Sequence, residues 1–380
     1  MFTHFYRLAL LLLSVTSVEA ALENATCKKC HPVIFQEYQN SMHAKASIFK
    51  DPVHKAVWDK HPAKKKNNYK CAKCHTPSDH QLLSGKNKLK ANAIQLNEPI
   101  SCQACHTIQR VEEHTKANKN IHTSKEKYFF SANKTKKGKK VVFKEEKSLF
   151  GLITKTSGSP YHDIDYSNEN FYNGKICLGC HDHKQNAKDF SVCDMQIKQG
   201  DSKETCISCH MPQTKGSLAN QKQSTTHAFH GVNIHRKPVN LSRYVKLFLA
   251  KTDNGFVITI ENEATHTLFP QPLRLSQLHV SIERAGKMIR LAPVSFRRII
   301  GTENKPSVPW LATEVITDNT IKALEKRKIR YSTALHKGDE VVVAFGYYIA
   351  NPKTAKKLGI DDHGSSKFIT LTQKRFTIGQ

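Results

Sequence analysis

Apolar and polar positions follow two different rhythms along this chain of 380 residues, and the change falls near Lys237. Beyond that point strand-like alternation dominates. In RYVKLFLAKTDNGFVITIENEA (Arg243 to Ala264) apolar residues alternate on either side of Asn254-Gly255, the strongest short hairpin signal. LSQLHVSIERAGKMIRL, DEVVVAFGYYIA and KFITLTQKRFTIGQ repeat the period with turn residues between them. These runs predict an antiparallel β-sandwich over residues 238–380. The earlier part reads as short helices and long loops. Its clearest helical stretch is HPVIFQEYQNSMHAKA, with Pro32 at a helix-start position and Phe35, Tyr38 and Met42 on one face, which predicts a helix running through His43. YFF and VVF flank a lysine-rich segment and predict a hairpin with the lysines at its tip. The expected fold class is α+β: a mostly α-helical and loop domain over 21–237, then the β-sandwich.

The first residues form a third kind of segment. MFTHFYRLALLLLSVTSVEA has a weakly basic start at Arg7, an apolar core from Leu8 to Val15 and a small-residue end at Ala20. That pattern predicts a secretory signal over 1–20, too short to span a bilayer. No later run approaches the roughly 20 apolar residues of a membrane-spanning helix. Export and a periplasmic location are the expectation.

Composition changes the picture of the core. Only 38% of residues are hydrophobic, where about 45–50% is usual, so something other than side chains must fill the interior. The cysteines supply the candidate. A C-x-x-C-H string is expected roughly 0.02 times by chance at this composition, yet it occurs five times: Cys27/Cys30/His31, Cys71/Cys74/His75, Cys102/Cys105/His106, Cys177/Cys180/His181 and Cys206/Cys209/His210. Zinc knuckles give no reason for a histidine after every second cysteine, and a redox dithiol would be needed once, not five times. Two thiols separated by two residues suit thioether attachment of a porphyrin, with the adjacent imidazole reaching the iron. Five covalently bound haem c groups, packed as the interior of the N-terminal domain, are therefore expected. The eleventh cysteine, Cys193, has no partner in the chain and reads as a plain buried thiol. Met211 directly follows His210 and cannot fold back onto the same iron.

Charge bears on partners. The formal net charge is +27, and ferric or ferrous haems with ionised propionates would leave it at about +17 to +22. Lysine clusters lie at His61 to Lys70, Gly85 to Lys90 and Asn133 to Lys140. They have few interleaved aromatic residues, which argues against nucleic acid. The plain reading of them is solvated faces and the tip of the YFF–VVF hairpin. Docking to an acidic redox partner, or peripheral contact with an anionic membrane surface or a membrane quinol dehydrogenase, is the functional alternative.

Each motif brings its own histidine, so function turns on what faces it across the iron: a second histidine suits electron transfer and an open face suits substrate chemistry. Leaving aside His4 and the five motif histidines, fifteen histidines remain for five positions. His43 is a candidate from its own surroundings. A straight helix of about 18 Å between His31 and His43 would keep the two from clasping one iron, so His43 should serve a neighbouring haem.

Longer stretches carry a resemblance. CKKCHPVIFQEYQNSMHAKA, CQACHTIQRV, SPYHDIDYSNENFYNGKICLGCHDH and CISCHMPQTKGSLANQKQSTTHAFHGVN resemble the periplasmic multihaem cytochromes of the cytochrome c-554 and related class. ENEATHTLFPQPLRLSQLHVSIERAGK and DNTIKALEKRKIRYS are similar to the C-terminal β-domain that many of these proteins carry. The resemblance implies facing ligands at His43 in a Ser-x-His-Ala element, His162 upstream of the fourth motif, His227 in a His-x-Phe-x-Gly-like stretch, and His266 before Phe269-Pro270. The family usually has glycine before that last histidine, where this chain has Thr265. The fifth facing ligand is left among His80, His114, His122, His230 and His235.

The β-domain shows no nucleophile with a base, no paired carboxylates and no phosphate-binding glycine loop. The expected function is electron transfer between respiratory partners through closely spaced, mostly bis-histidine haems, more a carrier than an enzyme. The alternative is an oxidoreductase with one open haem acting on a small nitrogen or sulfur compound. Every motif ends in histidine and none in lysine, which argues against a pentahaem nitrite reductase.

Overall fold

The computed structural model describes residues 23–148, 153–198, 204–220, 226–232, 241–360 and 364–379. The expected signal segment, the domain boundary at Lys237 and His235 lie outside these residues.

The strand alternation of the C-terminal part builds two sheets with one shared core. Val245–Thr252 pairs antiparallel with Gly255–Asn262, which pairs in turn with Lys326–Tyr331. The second sheet runs Lys287–Arg290, Leu275–Arg284, Glu340–Tyr348 and Ile369–Thr377, with Val294–Phe296 also on Leu275–Arg284. Phe256, Ile258 and Ile260 of the first sheet meet Leu278, Ile282, Val341, Val343 and Phe345 of the second in one buried cluster. Each such side chain contributes about 1.5–3 kcal/mol by leaving water, so this part carries a side-chain core of the ordinary kind. A smaller sheet of Arg298–Thr302, Lys305–Pro306 and Glu314–Asp318 extends it.

The hairpin at the start of this domain forms, but its turn is one residue earlier than Asn-Gly suggests. Thr252 pairs with Gly255, leaving Asp253 and Asn254 as the loop. Glycine is required at 255 by the neighbouring strand instead: a Cβ there would come within 1.9 Å of the Tyr331 carbonyl oxygen.

Short elements make up the N-terminal part. Among the described residues no helix exceeds the nine residues of Pro32–Asn40 and Pro52–Lys60, and the helices within the motifs have four or five. The helix expected to run through His43 stops at Asn40. Ser41 is extended (φ −77°, ψ 162°), its N–H donates to Tyr38 O, and its hydroxyl accepts from Ala44 N. Asn40 Nδ2 donates back to Gln36 O at 3.0 Å. These side chains compete for helical backbone groups, so His43 starts a separate 3-10 turn, His43–Lys45.

The expected YFF–VVF hairpin is also replaced. Tyr128–Phe130 and Lys140–Val141 do not pair with each other; both flank Asp163–Asp165, the first parallel and the second antiparallel. Tyr128 donates its hydroxyl to Asp165 Oδ2 at 2.6 Å, and Tyr128 and Phe130 pack on Phe171. A strand from 35 residues further on thus outcompetes the local partner and brings His162 with it.

The two parts are packed together. Arg298 Nη2 donates to Ser191 O at 2.8 Å, Asn186 Nδ2 to Ala312 O at 2.7 Å, and Thr267 N to Met195 O at 3.0 Å. Ala56 is buried against Ala350 and Ala355.

Candidate haem centres

All five C-x-x-C-H motifs lie in or beside a single helical turn. Residues spaced three and four apart share a helix face, so such a turn presents two thiols and an imidazole on the same side. The turns are closed locally: His31 N donates to Cys27 O at 2.8 Å and His75 N to Cys71 O at 3.0 Å. Ser101 caps the third turn by accepting from Ala104 N, and Thr205 with Ser208 forms a capping box on the fifth.

Cys30 departs from the other four second cysteines. Cys74, Cys105, Cys180 and Cys209 each lie inside a short helix, whereas the helix of the first motif, Asn24–Lys28, ends two residues before Cys30. Two contacts account for the early end. Pro32 disfavours helical geometry at the residue before it, and His31 accordingly sits at φ −119°, ψ 56°. Asn220, from a distant segment, takes the carbonyls that a continuing helix would use: its N–H donates to Cys30 O at 2.8 Å and its Nδ2 to Lys29 O at 3.1 Å. Cys30 is still tied to its partner cysteine, because Cys30 N donates to Cys27 O at 3.2 Å. The first attachment pair is thus held by a turn and a long-range clamp, the others by helix.

The histidines reveal the arrangement most directly. A metal–imidazole bond is about 2.0–2.1 Å, and with the ring radii added two imidazoles sharing one metal ion stand roughly 6 Å apart, centre to centre. His31 faces His162 at 6.3 Å, His43 faces His181 at 6.1 Å, His106 faces His230 at 6.3 Å and His210 faces His266 at 6.2 Å. Four motif histidines therefore have a second imidazole at the separation that a shared iron requires, each from a distant part of the chain.

Second contacts turn the rings the same way. His31 Nδ1 bonds Leu218 O at 2.7 Å, His106 Nδ1 bonds Phe130 O at 2.7 Å, His230 Nδ1 bonds Ala228 O at 2.7 Å and His266 Nδ1 bonds Thr267 O at 3.0 Å. A carbonyl at Nδ1 fixes the proton there and leaves the Nε2 lone pair for a metal. Burial helps, because it disfavours the imidazolium: it pushes His43 down to about 4, with His181 adding to the effect, and His230 down to about 4, with His106 adding. These donors fit haem iron, and the paired thiols fit its attachment.

The second motif differs. The ring centroids of His75 and His54 are 3.8 Å apart, too close for an iron between them. Both Nδ1 atoms address Ala46 O at 3.1 Å, and His54 Nε2 meets the Tyr69 hydroxyl at 3.3 Å. Tyr69 is buried and packs edge-on against Trp58. Among the described residues no histidine faces His75 at the spacing of the other four pairs.

Of the expected facing ligands, His43, His162 and His266 stand opposite motif histidines. His227 does not. Its side chain is fully buried, with Nδ1 on Gly216 O at 3.1 Å and Nε2 on Glu37 Oε1 at 3.0 Å. His230, three residues on, faces His106 in its place. No local signal separates the two: His227 sits in the strand Thr226–Ala228 and His230 in the turn after it. Of the remaining candidates, His122 bonds the Thr107 hydroxyl at 2.8 Å, while His80 and His114 are exposed.

The motifs form one contiguous group. Neighbouring thiols act on one another's ionisation: Cys102 lowers that of Cys27, Cys180 lowers that of Cys74, and Cys206 raises that of Cys177. Cys105 lies close enough to Cys177 and Cys180 to influence both electrostatically. The first motif thus adjoins the third, the third adjoins the fourth, and the fourth touches both the second and the fifth. Cys193 stands apart in the strand Ser191–Asp194, and burial pushes its thiol up to about 11.

Comparison with known proteins agrees with this geometry. Residues 26–107 match the family described as cytochrome c554 and c-prime. The whole architecture is similar to a penta-heme cytochrome c552 from Thermochromatium tepidum, with a TM-score of 0.70 and 19% sequence identity over 94% of this chain and 99% of that one. The chain has the fold of that multihaem cytochrome. The β-rich C-terminal region lies within that likeness, since the match extends over nearly the full length of both chains. No curated protein matches the chain.

Proposed function

We propose that the protein is a periplasmic electron carrier holding five haem c groups, four of them between paired histidines. The four ring pairs at 6.1–6.3 Å carry this reading. The attachment pairs would be Cys27 with Cys30, Cys71 with Cys74, Cys102 with Cys105, Cys177 with Cys180 and Cys206 with Cys209, and His31, His75, His106, His181 and His210 would be the first ligands. His162, His230, His43 and His266 would oppose His31, His106, His181 and His210 respectively. When bound, such a haem supplies one-electron chemistry in which iron changes charge while keeping both imidazoles.

The chain's own contribution is orientation and exclusion of water. Backbone carbonyls at Nδ1 hold the rings of His31, His106, His230 and His266 in one tautomer, and burial disfavours the charged form of His43, His106, His162, His181, His230 and His266. The motif helices lie against one another, which would set the cofactor positions side by side, so electrons would pass along the group 1–3–4–5, with the second position branching from the fourth. The leader favours export, and the excess of lysine over acidic residues favours an acidic redox protein, or a membrane quinol dehydrogenase, as partner. The test is the mass of the mature exported chain combined with reductive titration. Five macrocycles and five electrons per chain are expected, and fewer of either would overturn the reading.

A second reading is favoured by one observation, the absence of a facing histidine at His75 among the described residues. On this reading the open face of the second motif's haem would serve substrate, and the protein would act on a small nitrogen or sulfur compound. Turnover of nitrite, hydroxylamine or sulfite by the purified protein, abolished by His75→Ala, would establish this activity. No turnover of any of the three would leave the carrier reading.

A further inference from the structure

The partly buried carboxylate of Glu37 is the feature of the N-terminal part that ligand pairing alone leaves unused. It lies on the helix Pro32–Asn40, directly after the first motif, with 15% of its side chain exposed. Its two oxygens are divided between two residues of a segment some 190 positions away. Oε1 meets His227 Nε2 at 3.0 Å, and Oε2 accepts from the backbone N–H of His230 at 2.9 Å. His227 is anchored at its other end by Gly216 O, and His230 Nδ1 is turned toward Ala228 O. One carboxylate thus grips the segment 227–230 at both ends.

From this we infer that Glu37 is a positioning residue for the His106–His230 pair, acting through the backbone of His230 and the ring of His227. The inference rests on reading His106 and His230 as opposed ligands. Strand pairing of Thr226–Ala228 with Gln213–Lys215 ends at Ala228, so His230 lies beyond the last ladder bond. The described segment ends at Val232. Phe229 N donates to Pro212 O at 3.0 Å, and the Glu37 contact holds the residue that follows, setting the height and direction at which the ring meets His106. Because Glu37 belongs to the helix that leaves His31, the same contact ties the first cofactor position to the second ligand of the third. It also gives the buried His227 a role other than metal binding: both its ring nitrogens face oxygen atoms, so it serves as the strut between Gly216 and Glu37.

Spectroscopy of the exported protein separates this proposal from the ligand reading beneath it. His230→Ala should convert one low-spin ferric haem of the mature chain to high spin, with the haem count by mass unchanged; failure to do so overturns the ligand assignment itself. Given that result, Glu37→Ala should produce a high-spin signal of the same kind from up to one haem. Glu37→Gln should restore the wild-type spectrum, since its carbonyl can accept from His230 N and its amide can donate to His227 Nε2. If Glu37→Ala does not accumulate, Glu37→Asp replaces it: the side chain is one methylene shorter and cannot reach both residues, so a partial high-spin signal is expected. A spectrum with no high-spin haem beyond that of the wild-type chain, in whichever of the two accumulates, overturns the proposal, as does a Glu37→Gln spectrum indistinguishable from Glu37→Ala.

Discussion

His54 and His75 lie ring against ring, 3.8 Å apart, and their Nδ1 atoms share one acceptor, Ala46 O. His54 therefore supports the second motif's histidine from the side and does not oppose it. This sets it apart from His43, whose ring stands 6.1 Å from His181. His43→Ala should convert one low-spin haem to high spin, while His54→Ala should leave the number of low-spin haems unchanged. Ferric spin-resonance spectra of the two variants check the contrast.

His266 is the facing residue supplied by the β-rich part, 6.2 Å from His210. It lies outside the buried sheet-to-sheet cluster, in the segment between Gly255–Asn262 and Leu275–Arg284. His266→Ala is accordingly expected to remove one low-spin haem and to change the thermal midpoint of the β-domain little. Redox titration should show one component shifted and the others in place.

Phe345 is fully buried where the two sheets meet, edge-on to Phe296. Truncating it to alanine removes a large apolar side chain from a packed interior, which costs about 3–5 kcal/mol. The calorimetric transition that includes the β-rich part should fall accordingly, with the ferric spectra of the N-terminal haems unchanged apart from that opposite His266.

Acid sensitivity has an identifiable source in the same domain. The Arg284 guanidinium holds Asp339 down to about 2, and backbone donation from His336 adds to the effect. A depressed folded-state carboxylate stabilises at every pH above its ordinary value of 3.8, and that contribution is lost as pH falls through about 2. Acid unfolding of the wild-type domain should therefore steepen between about pH 4 and 2. Asp339→Asn should be less stable at neutral pH and should lack this component of the slope.

Much of this was legible from residues alone, for physical reasons that differ by region. The motif cysteines and histidines are local, because one helical turn suffices to gather them. Cys30 shows the limit of that locality: its place in the motif is plain, but its exit from the helix depends on Asn220, far along the chain. The β-strands are legible because alternation reports burial on one face. The identity of facing histidines depends on contacts between segments far apart in sequence. His43 could be separated from His31 by helix geometry, although the helix itself ends at Asn40 where Asn40 and Ser41 divert its hydrogen bonds. His227 and His230 could not be told apart, since the choice rests on Glu37, 190 residues away. The Tyr128–Phe130 strand likewise takes a distant partner because Asp165 satisfies the Tyr128 hydroxyl.

The ferric spin count of the purified mature protein tests the central claim most directly. Four low-spin haems and one high-spin haem per chain are expected, and His75→Ala should change the high-spin signal while leaving the four low-spin haems in place. Two or more high-spin haems in the wild-type chain would contradict the four histidine pairs, and five low-spin haems would contradict the open position at His75.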